Sequence, residues 1–102
     1  KKNLVIYLNY SGQLDIIKAA KLYNFNSMNK KAFEKLLITN NFKNPDILIR
    51  TGGYQRISDF FLYQIAFTEL FFLKKLWPDF NAKDLTQIIN KFKKQKRNFG
   101  TI

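Results

Sequence analysis

The chain contains no cysteine and no histidine among its 102 residues. Without cysteine, disulfide bonds and thiolate nucleophiles are excluded. Without histidine as well, the usual zinc sites and Ser-His or Cys-His nucleophile pairs are excluded. A lack of cysteine is typical of cytosolic proteins, so we expect a cytoplasmic location. No apolar run approaches the roughly 18 residues that a membrane-spanning helix needs.

Acidic residues are also scarce, with 7 Asp and Glu against 18 Lys and Arg, which gives a net charge of +11. This balance favours an anionic partner: a nucleic acid, an acidic membrane surface or a phosphorylated small molecule. Hydrophobic residues make up 46% of the chain, which is enough for a buried core and argues against a disordered chain. The length suits one domain.

The first pattern along the chain is a strand followed by a helix. Residues 4–9 form a near-continuous apolar run, which predicts a strand buried on both faces. From Gln13 the spacing of apolar residues predicts a helix, whose apolar face would consist of Leu14, Ile17 and Ala20. A strand, a short turn and a helix make half of a βαβ unit.

Three further helices are predicted from their capping residues, which are Ser27, Ser58 and Asn81. The helix after Ser27 would cover residues 28–37, and the helix after Ser58 would end near Ala66. Asn81 resembles the start of a capping box because Asp84 follows three residues later.

Two further strands are predicted, over residues 46–50 and residues 69–72. Because strands and helices alternate, the pattern predicts an α/β fold with a mostly parallel sheet flanked by helices.

The stretch of residues 46–58 combines the parts of an anion site. Arg50 ends a predicted parallel strand, at the edge where ligands bind in open α/β sheets. Its planar guanidinium can hold two phosphate oxygens, and Arg56 supplies a second such group. Two glycines between them allow a tight turn and a close approach of the backbone. Ser58 adds a hydroxyl at a predicted helix start, where backbone amides favour negative charge.

A structural alternative is that Arg50 or Arg56 pairs with Asp46 or Asp59, and that the glycines only turn the chain. The stretch does not contain the Gly-x-x-x-x-Gly-Lys-Ser/Thr pattern, so it is not a Walker-type loop.

Glu69 lies in the largely apolar stretch of residues 65–72, where a carboxylate needs a partner. An arginine would supply one, as would Mg²⁺ bridging to a diphosphate. The alternative is an exposed carboxylate at the end of an element. Residues 91–97 hold a cluster of basic side chains, which suits a solvated helix C-terminus. Nucleic-acid binding would require exposed aromatic residues between them, whereas Phe92 belongs to the predicted buried face.

Several motifs together resemble a known family. Arg-Thr-Gly-Gly-x-x-Arg-x-Ser at residues 50–58 is followed by Glu-Leu-Phe-Phe at residues 69–72 and by Leu-Trp-Pro-Asp-Phe at residues 76–80. Residues 9–16 are similar to the family's Asn-Tyr-Gly-Gly-Arg-x-Asp/Glu-Ile segment. The chain resembles the C-terminal part of the cis-prenyltransferases, whose bacterial member is undecaprenyl diphosphate synthase.

The resemblance implies an enzyme that condenses isopentenyl diphosphate onto an allylic primer, usually farnesyl diphosphate. The product would be a long polyprenyl diphosphate such as undecaprenyl diphosphate, a carrier lipid for cell-wall synthesis. Arg50, Arg56 and Ser58 would bind the diphosphate of isopentenyl diphosphate, and Glu69 would help to hold the required Mg²⁺. The resemblance also implies a homodimer without a nucleic-acid partner, with peripheral membrane association at the inner face for product release.

The chain departs from the family pattern in three places. Within residues 9–16, Ser11 and Gln13 replace the more usual glycine and arginine. The family's catalytic aspartate, in an early strand-to-helix loop, has no counterpart. We therefore expect residues 1–102 to be the C-terminal portion of a single domain and to be inactive alone. Near the end, Asn98 stands where the family often has an arginine that reaches across the dimer. Arg97 precedes that position by one residue and is a further candidate for a substrate contact.

Two other functions remain open. A non-catalytic partner subunit would have the same fold, although such subunits tend to lose the arginines and the serine of the central motif. A basic nucleic-acid-binding domain is the third reading, and the placement of the aromatic residues does not favour it.

Overall fold

The computed structural model describes residues 2–100, which group into two compact units. One unit comprises residues 2–43 and 58–63, and the other comprises residues 44–57 and 64–100. The helices are α1 (Gly12–Leu22), α2 (Lys30–Glu34) and α3 (Ala82–Lys93), and the strands are β1 (Ile47–Arg50) and β2 (Glu69–Phe72). A 3₁₀ turn, Trp77–Asp79, precedes α3. No helix within residues 2–100 is long and apolar enough to cross a membrane.

β1 and β2 form a parallel pair, with Ile47 beside Glu69 and Arg50 beside Phe72. Their branched and aromatic side chains favour extended backbone. The backbone N–H of Glu69 also donates to the carbonyl of Asp46 at 3.0 Å, and the N–H of Leu73 donates to the carbonyl of Arg50 at 2.8 Å. The two later strands and their parallel pairing are therefore as predicted, and helices accompany them in an α/β arrangement.

The prediction of a strand over residues 4–9 is wrong. These residues have no regular secondary structure, and Leu4, Ile6 and Leu8 are 87%, 70% and 84% exposed. A strand needs a neighbour for its backbone N–H and C=O groups. In the part of the chain that the structure describes, the sheet consists of β1 and β2. An apolar run is therefore not sufficient for a strand here, because pairing depends on a partner.

α1 forms where a helix was predicted, with Ser11 as its N-cap. Its buried face is different from the predicted one, because Leu14 and Ile17 are exposed whereas Asp15 and Ala19 are buried. Burial of Asp15 is stabilised by hydrogen bonds, since its carboxylate accepts from the Tyr10 hydroxyl at 2.8 Å and from the Ile38 amide at 3.0 Å. A polar contact thus overrides the apolar spacing.

α2 is shorter than predicted, and its cap is Asn29 instead of Ser27. The Asn29 side chain accepts a hydrogen bond from the backbone N–H of Ala32. Ser27 lies in a turn that the N–H of Met28 closes on the carbonyl of Asn24 at 2.8 Å. The chain is therefore still turning at Ser27, and the helix starts only after the next available capping side chain.

The helix predicted after Ser58 does not form, and residues 58–66 make turns instead. Ser58, Asp59 and Phe61 have φ angles of 48°, 65° and 51°, a left-handed conformation that an α-helix excludes. Asp59 is held in this conformation by α1, because its carbonyl accepts from the N–H of Gly12 at 2.7 Å. Its carboxylate accepts from the Ser11 hydroxyl and the backbone N–H of Gln13, at a helix N-terminus that favours negative charge.

α3 begins with the predicted capping box. The Asn81 side chain accepts from the N–H of Asp84, and the Asp84 carboxylate accepts from the N–H of Asn81. Lys75 adds an ion pair to the same carboxylate at 2.9 Å. The hydrogen bond from Lys75, followed by the one from the Asn81 backbone, lowers the pKa of Asp84 below its ordinary value. The start of this helix is thus determined by local polar contacts.

Candidate anion-binding site

The candidate site is built on the turn that follows β1. After Arg50 the backbone passes through Gly52 and Gly53, whose φ angles are 97° and 87°, a region that glycine adopts without strain. The N–H of Gly52 donates to the carbonyl of Lys75, and the N–H of Gly53 donates to the carbonyl of Leu73, each at 2.9 Å. Because both glycine amides have partners within the chain, they shape the turn and leave anion contacts to side chains.

Arg50 and Arg56 converge on the ring of Tyr54. The guanidinium carbon of Arg50 lies 5.5 Å from the ring centroid, and that of Arg56 lies 4.2 Å from it. Arg50 also donates a hydrogen bond to the backbone carbonyl of Arg56. The face of an aromatic ring attracts a guanidinium group, while the N–H groups in the guanidinium plane can bind phosphate oxygens. The structure thus brings together the two arginines that the sequence predicted as anion ligands.

The acids that could have paired with these arginines have other partners. The carboxylate of Asp46 accepts a hydrogen bond from Arg97 at 2.8 Å. The carboxylate of Asp59 accepts from Ser11 and Gln13 at the start of α1. These contacts therefore do not support the alternative in which Asp46 or Asp59 neutralises one of the two arginines.

Ser58 follows Arg56 by two residues but belongs to the unit formed by residues 2–43 and 58–63. Its φ angle of 48° is incompatible with the predicted helix start. Because no helix starts at Ser58, the N–H groups of a helix N-terminus are not available there to bind an anion. The role of its hydroxyl as a diphosphate ligand stays a prediction.

Glu69 and Arg50 lie at opposite ends of the strand pair. Glu69 opens β2 beside Ile47, whereas Arg50 closes β1 beside Phe72, so they are separated by roughly 10 Å along the strands. Across residues 2–100 no three or more acidic side chains come together in a group that could hold a metal ion. One carboxylate suits an Mg²⁺ ion that phosphate oxygens and water otherwise coordinate. Glu69 could thus supply one ligand of such an ion, but it does not form a complete metal site by itself.

Glu69 instead shares a pocket of about 250 Å³ with Arg97. The guanidinium of Arg97 donates to the carboxylate of Asp46 and to the carbonyl of Phe67, both at 2.8 Å. It also lies over the rings of Phe92 and Phe99 at 5.0 and 4.5 Å. These contacts within the chain identify Arg97 as an anchor of the C-terminal segment. A substrate contact by Arg97 stays a prediction.

Tyr54 is the residue of this site that the motif reasoning missed. The sequence carried a signal, because an aromatic residue stands four positions after Arg50 and two positions before Arg56. This spacing indicates contact between the ring and the arginines only when a tight turn brings both arginines to the ring. The two glycines at residues 52–53 provide that turn.

The parallel strand pair and the turn of residues 50–56 that carries Arg50 and Arg56, the two-arginine turn, define an α/β protein with a candidate anion site. A family model described as "Putative undecaprenyl diphosphate synthase" matches residues 1–100. The chain therefore belongs to this prenyltransferase family, which confirms the resemblance seen in its motifs.

The curated relatives that match this chain are named for different products. The chain is 42% identical to "Dehydrodolichyl diphosphate synthase 3" of Arabidopsis thaliana, over 98% of this chain and 37% of the relative. It is 45% identical to "Nerylneryl diphosphate synthase CPT2, chloroplastic" of Solanum lycopersicum, over 96% and 34%. It is 40% identical to the Coxiella burnetii "Ditrans,polycis-undecaprenyl-diphosphate synthase ((2E,6E)-farnesyl-diphosphate specific)", over 95% and 45%. The chain thus spans less than half the length of these relatives.

Solved structures of cis-prenyltransferases share the fold. Lavandulyl diphosphate synthase from Lavandula x intermedia, in complex with dimethylallyl diphosphate, matches with a TM-score of 0.80 and 38% identity, over 89% of this chain and 43% of that chain. A "probable undecaprenyl diphosphate synthase" from Campylobacter jejuni matches with a TM-score of 0.81 and 27% identity, over 92% and 45%. The α/β fold class is therefore confirmed.

Proposed function

We propose that the protein carrying this chain is a cis-prenyltransferase that condenses isopentenyl diphosphate onto an allylic diphosphate. Arg50 and Arg56 bind the diphosphate of isopentenyl diphosphate. The observation that carries this proposal is the convergence of both guanidinium groups at the carboxyl end of β1, in a chain of the prenyltransferase family. Two planar guanidinium groups match the several oxygens of a diphosphate.

The role of these arginines is binding and orientation. They remain positively charged at any pH at which the protein is folded, so they do not transfer protons. By fixing the diphosphate, they place the double bond of isopentenyl diphosphate next to the allylic carbon, and such positioning supplies a large part of a rate enhancement. The hydroxyl of Ser58 adds a hydrogen bond to the same diphosphate.

The proposal extends to Mg²⁺, with Glu69 as one carboxylate ligand and diphosphate oxygens and water as the others. The ion neutralises charge on the diphosphate. The proposal also includes farnesyl diphosphate as the primer and a long product such as undecaprenyl diphosphate, the substrate and product for which the Coxiella burnetii relative is named. We also propose that the protein is a homodimer in the cytoplasm and that it associates peripherally with the membrane.

Calorimetric titration of isopentenyl diphosphate tests the proposal. Arg50→Ala combined with Arg56→Ala is expected to raise the Kd by at least about a hundredfold, because hydrogen bonds to charged groups contribute about 1.5–3 kcal/mol each. The control combines Lys83→Ala with Lys91→Ala, which removes the same charge from exposed positions on α3. This control should change the Kd by no more than about twofold. Equal affinity in the two double variants would refute the assignment.

A further inference from the structure

We propose that Tyr54 is a positioning residue whose ring holds the guanidinium groups of Arg50 and Arg56 together before the anion binds. The inference rests on the proposed function, in which these two arginines bind a diphosphate. The contacts that carry it are the distances of 5.5 and 4.2 Å from the two guanidinium carbons to one ring centroid.

Two adjacent arginines do not converge by themselves. Their charges repel each other, and each long side chain has many rotamers when nothing contacts it. An aromatic ring counters both effects, because its electron-rich face attracts each guanidinium group and limits its motion. The hydrogen bond from Arg50 to the carbonyl of Arg56 restricts the pair further. The site is therefore ordered in the absence of the anion.

This arrangement is compatible with ligand binding. Stacking uses the face of the guanidinium group, whereas a phosphate oxygen is bound by the N–H groups at its edge. Tyr54 is 51% exposed, so its ring lies at the surface where a soluble diphosphate can reach the arginines. The ordering that binding would otherwise require is already in place, which strengthens binding without a direct contact from Tyr54 to the ligand.

The test compares Tyr54→Phe, which keeps the ring, with Tyr54→Leu, which keeps apolar bulk without a π face. Tyr54→Phe should bind isopentenyl diphosphate within about twofold of the wild-type Kd. Tyr54→Leu should raise the Kd about tenfold, which corresponds to about 1.4 kcal/mol. Thermal unfolding should show that both variants fold, with the midpoint of Tyr54→Leu at most a few degrees below that of Tyr54→Phe, because only Tyr54→Leu loses the two ring contacts at this half-exposed position.

A spectroscopic measurement on the free protein separates positioning from a general structural effect. The N–H protons of Arg50 and Arg56 should show ring-current shifts in the NMR spectrum of the wild type and of Tyr54→Phe. These shifts should disappear in Tyr54→Leu. Their absence from the wild type would overturn the inference, whatever the affinity for the diphosphate.

The remaining outcomes are distinguishable from one another. If the wild type binds the diphosphate and Tyr54→Leu binds it equally well or more tightly, the inference is wrong and the proposed function stands. If Tyr54→Phe is as weak as Tyr54→Leu, the hydroxyl and not the ring is responsible, which also overturns it. If the wild type does not bind isopentenyl diphosphate, the proposed function fails and the positioning role fails with it.

Discussion

The guanidinium of Arg97 donates a hydrogen bond of 2.8 Å to the carboxylate of Asp46, which lies 51 positions earlier in the chain. Asp46 immediately precedes β1, whereas Arg97 follows α3. The same guanidinium donates to the carbonyl of Phe67, just before β2. One side chain therefore ties the C-terminal segment to the entrance of both strands, next to Glu69 in the shared pocket.

Arg97→Ala is expected to lower the free energy of unfolding by about 1–2 kcal/mol, because it removes two hydrogen bonds and two ring contacts. Asp46→Asn should cost only about 0.5 kcal/mol, since the Asp46 side chain is 68% exposed and that of Arg97 is 17% exposed. Urea unfolding measures both values. Lys96→Ala, at a neighbouring exposed position, is the control and should lie within about 0.5 kcal/mol of the wild type. A loss for Arg97→Ala no larger than for Lys96→Ala would show that the anchor is unimportant.

Under the proposed function, variants of Glu69 and Arg50 should respond differently to metal removal, because the two residues lie at opposite ends of the strand pair. Glu69→Gln should leave the Kd for isopentenyl diphosphate unchanged when a chelator removes Mg²⁺. In the presence of Mg²⁺ the same variant should require at least about tenfold more metal for full binding, because loss of a ligand group lowers metal affinity. Arg50→Ala should weaken binding under both conditions. Titrations with and without chelator make the comparison, and a weakened Kd for Glu69→Gln in chelator would contradict it.

Gly52 determines the conformation of the two-arginine turn through its backbone angle. Its φ of 97° is strained for residues with a side chain, yet no atom lies within 4 Å of a Cβ built there. Gly52→Ala should therefore cost about 1–2 kcal/mol of unfolding free energy through torsional strain and not through a clash. Gly52→Asn should cost less, because asparagine tolerates positive φ. If alanine and asparagine have equal effects in urea unfolding, strain at this position is not the cause.

Several elements with local signals were predicted correctly from the sequence, although the cap of α2 is Asn29 and not Ser27. The capping box at Asn81 and Asp84 involves residues three apart, and β1 and β2 consist of side chains that favour strands. The predictions of a strand over residues 4–9 and of a helix after Ser58 were wrong, because the conformation of each segment depends on residues that are distant in the sequence. A strand requires a neighbouring strand, and the conformation after Ser58 is fixed by the hydrogen bonds of Asp59 to α1.

The same distinction applies to the candidate site. Arg50 and Arg56 were predicted as anion ligands because guanidinium groups beside a glycine turn are chemically suited to bind phosphate oxygens. The part played by Tyr54 depends on the direction that the turn gives to three side chains. The anchoring of Arg97 depends on Asp46, which no local pattern connects to it. Residue type was thus sufficient to name the candidate ligands, whereas the contacts that position them could be seen only in the fold.

The capping carboxylate of α3 predicts a pH dependence at the acidic end. Lys75 and the Asn81 backbone lower the pKa of Asp84 below its ordinary value of 3.8, so the folded state favours the charged carboxylate. Its contribution to stability is present above pH 3.8 and is lost as the pH falls through the lower folded value. Asp84→Asn should therefore unfold at a lower temperature than the wild type at pH 7, and the difference should shrink in acid. A difference in melting temperature that is independent of pH would contradict this account.

At the alkaline end, Tyr63 should titrate well above the ordinary pKa of a tyrosine. Its hydroxyl donates to the carboxylate of Glu34 at 3.0 Å, and burial together with that bond and charge raises the pKa of Tyr63 to about 12. Because the folded pKa exceeds the ordinary value of 10.0, the contribution to stability is complete below pH 10 and is lost as the pH rises through 12. Tyrosinate absorbance should show a late step that Tyr63→Phe removes and Glu34→Gln moves to lower pH. A single step with the same midpoint in wild type and Glu34→Gln would show that Glu34 does not hold the proton on Tyr63.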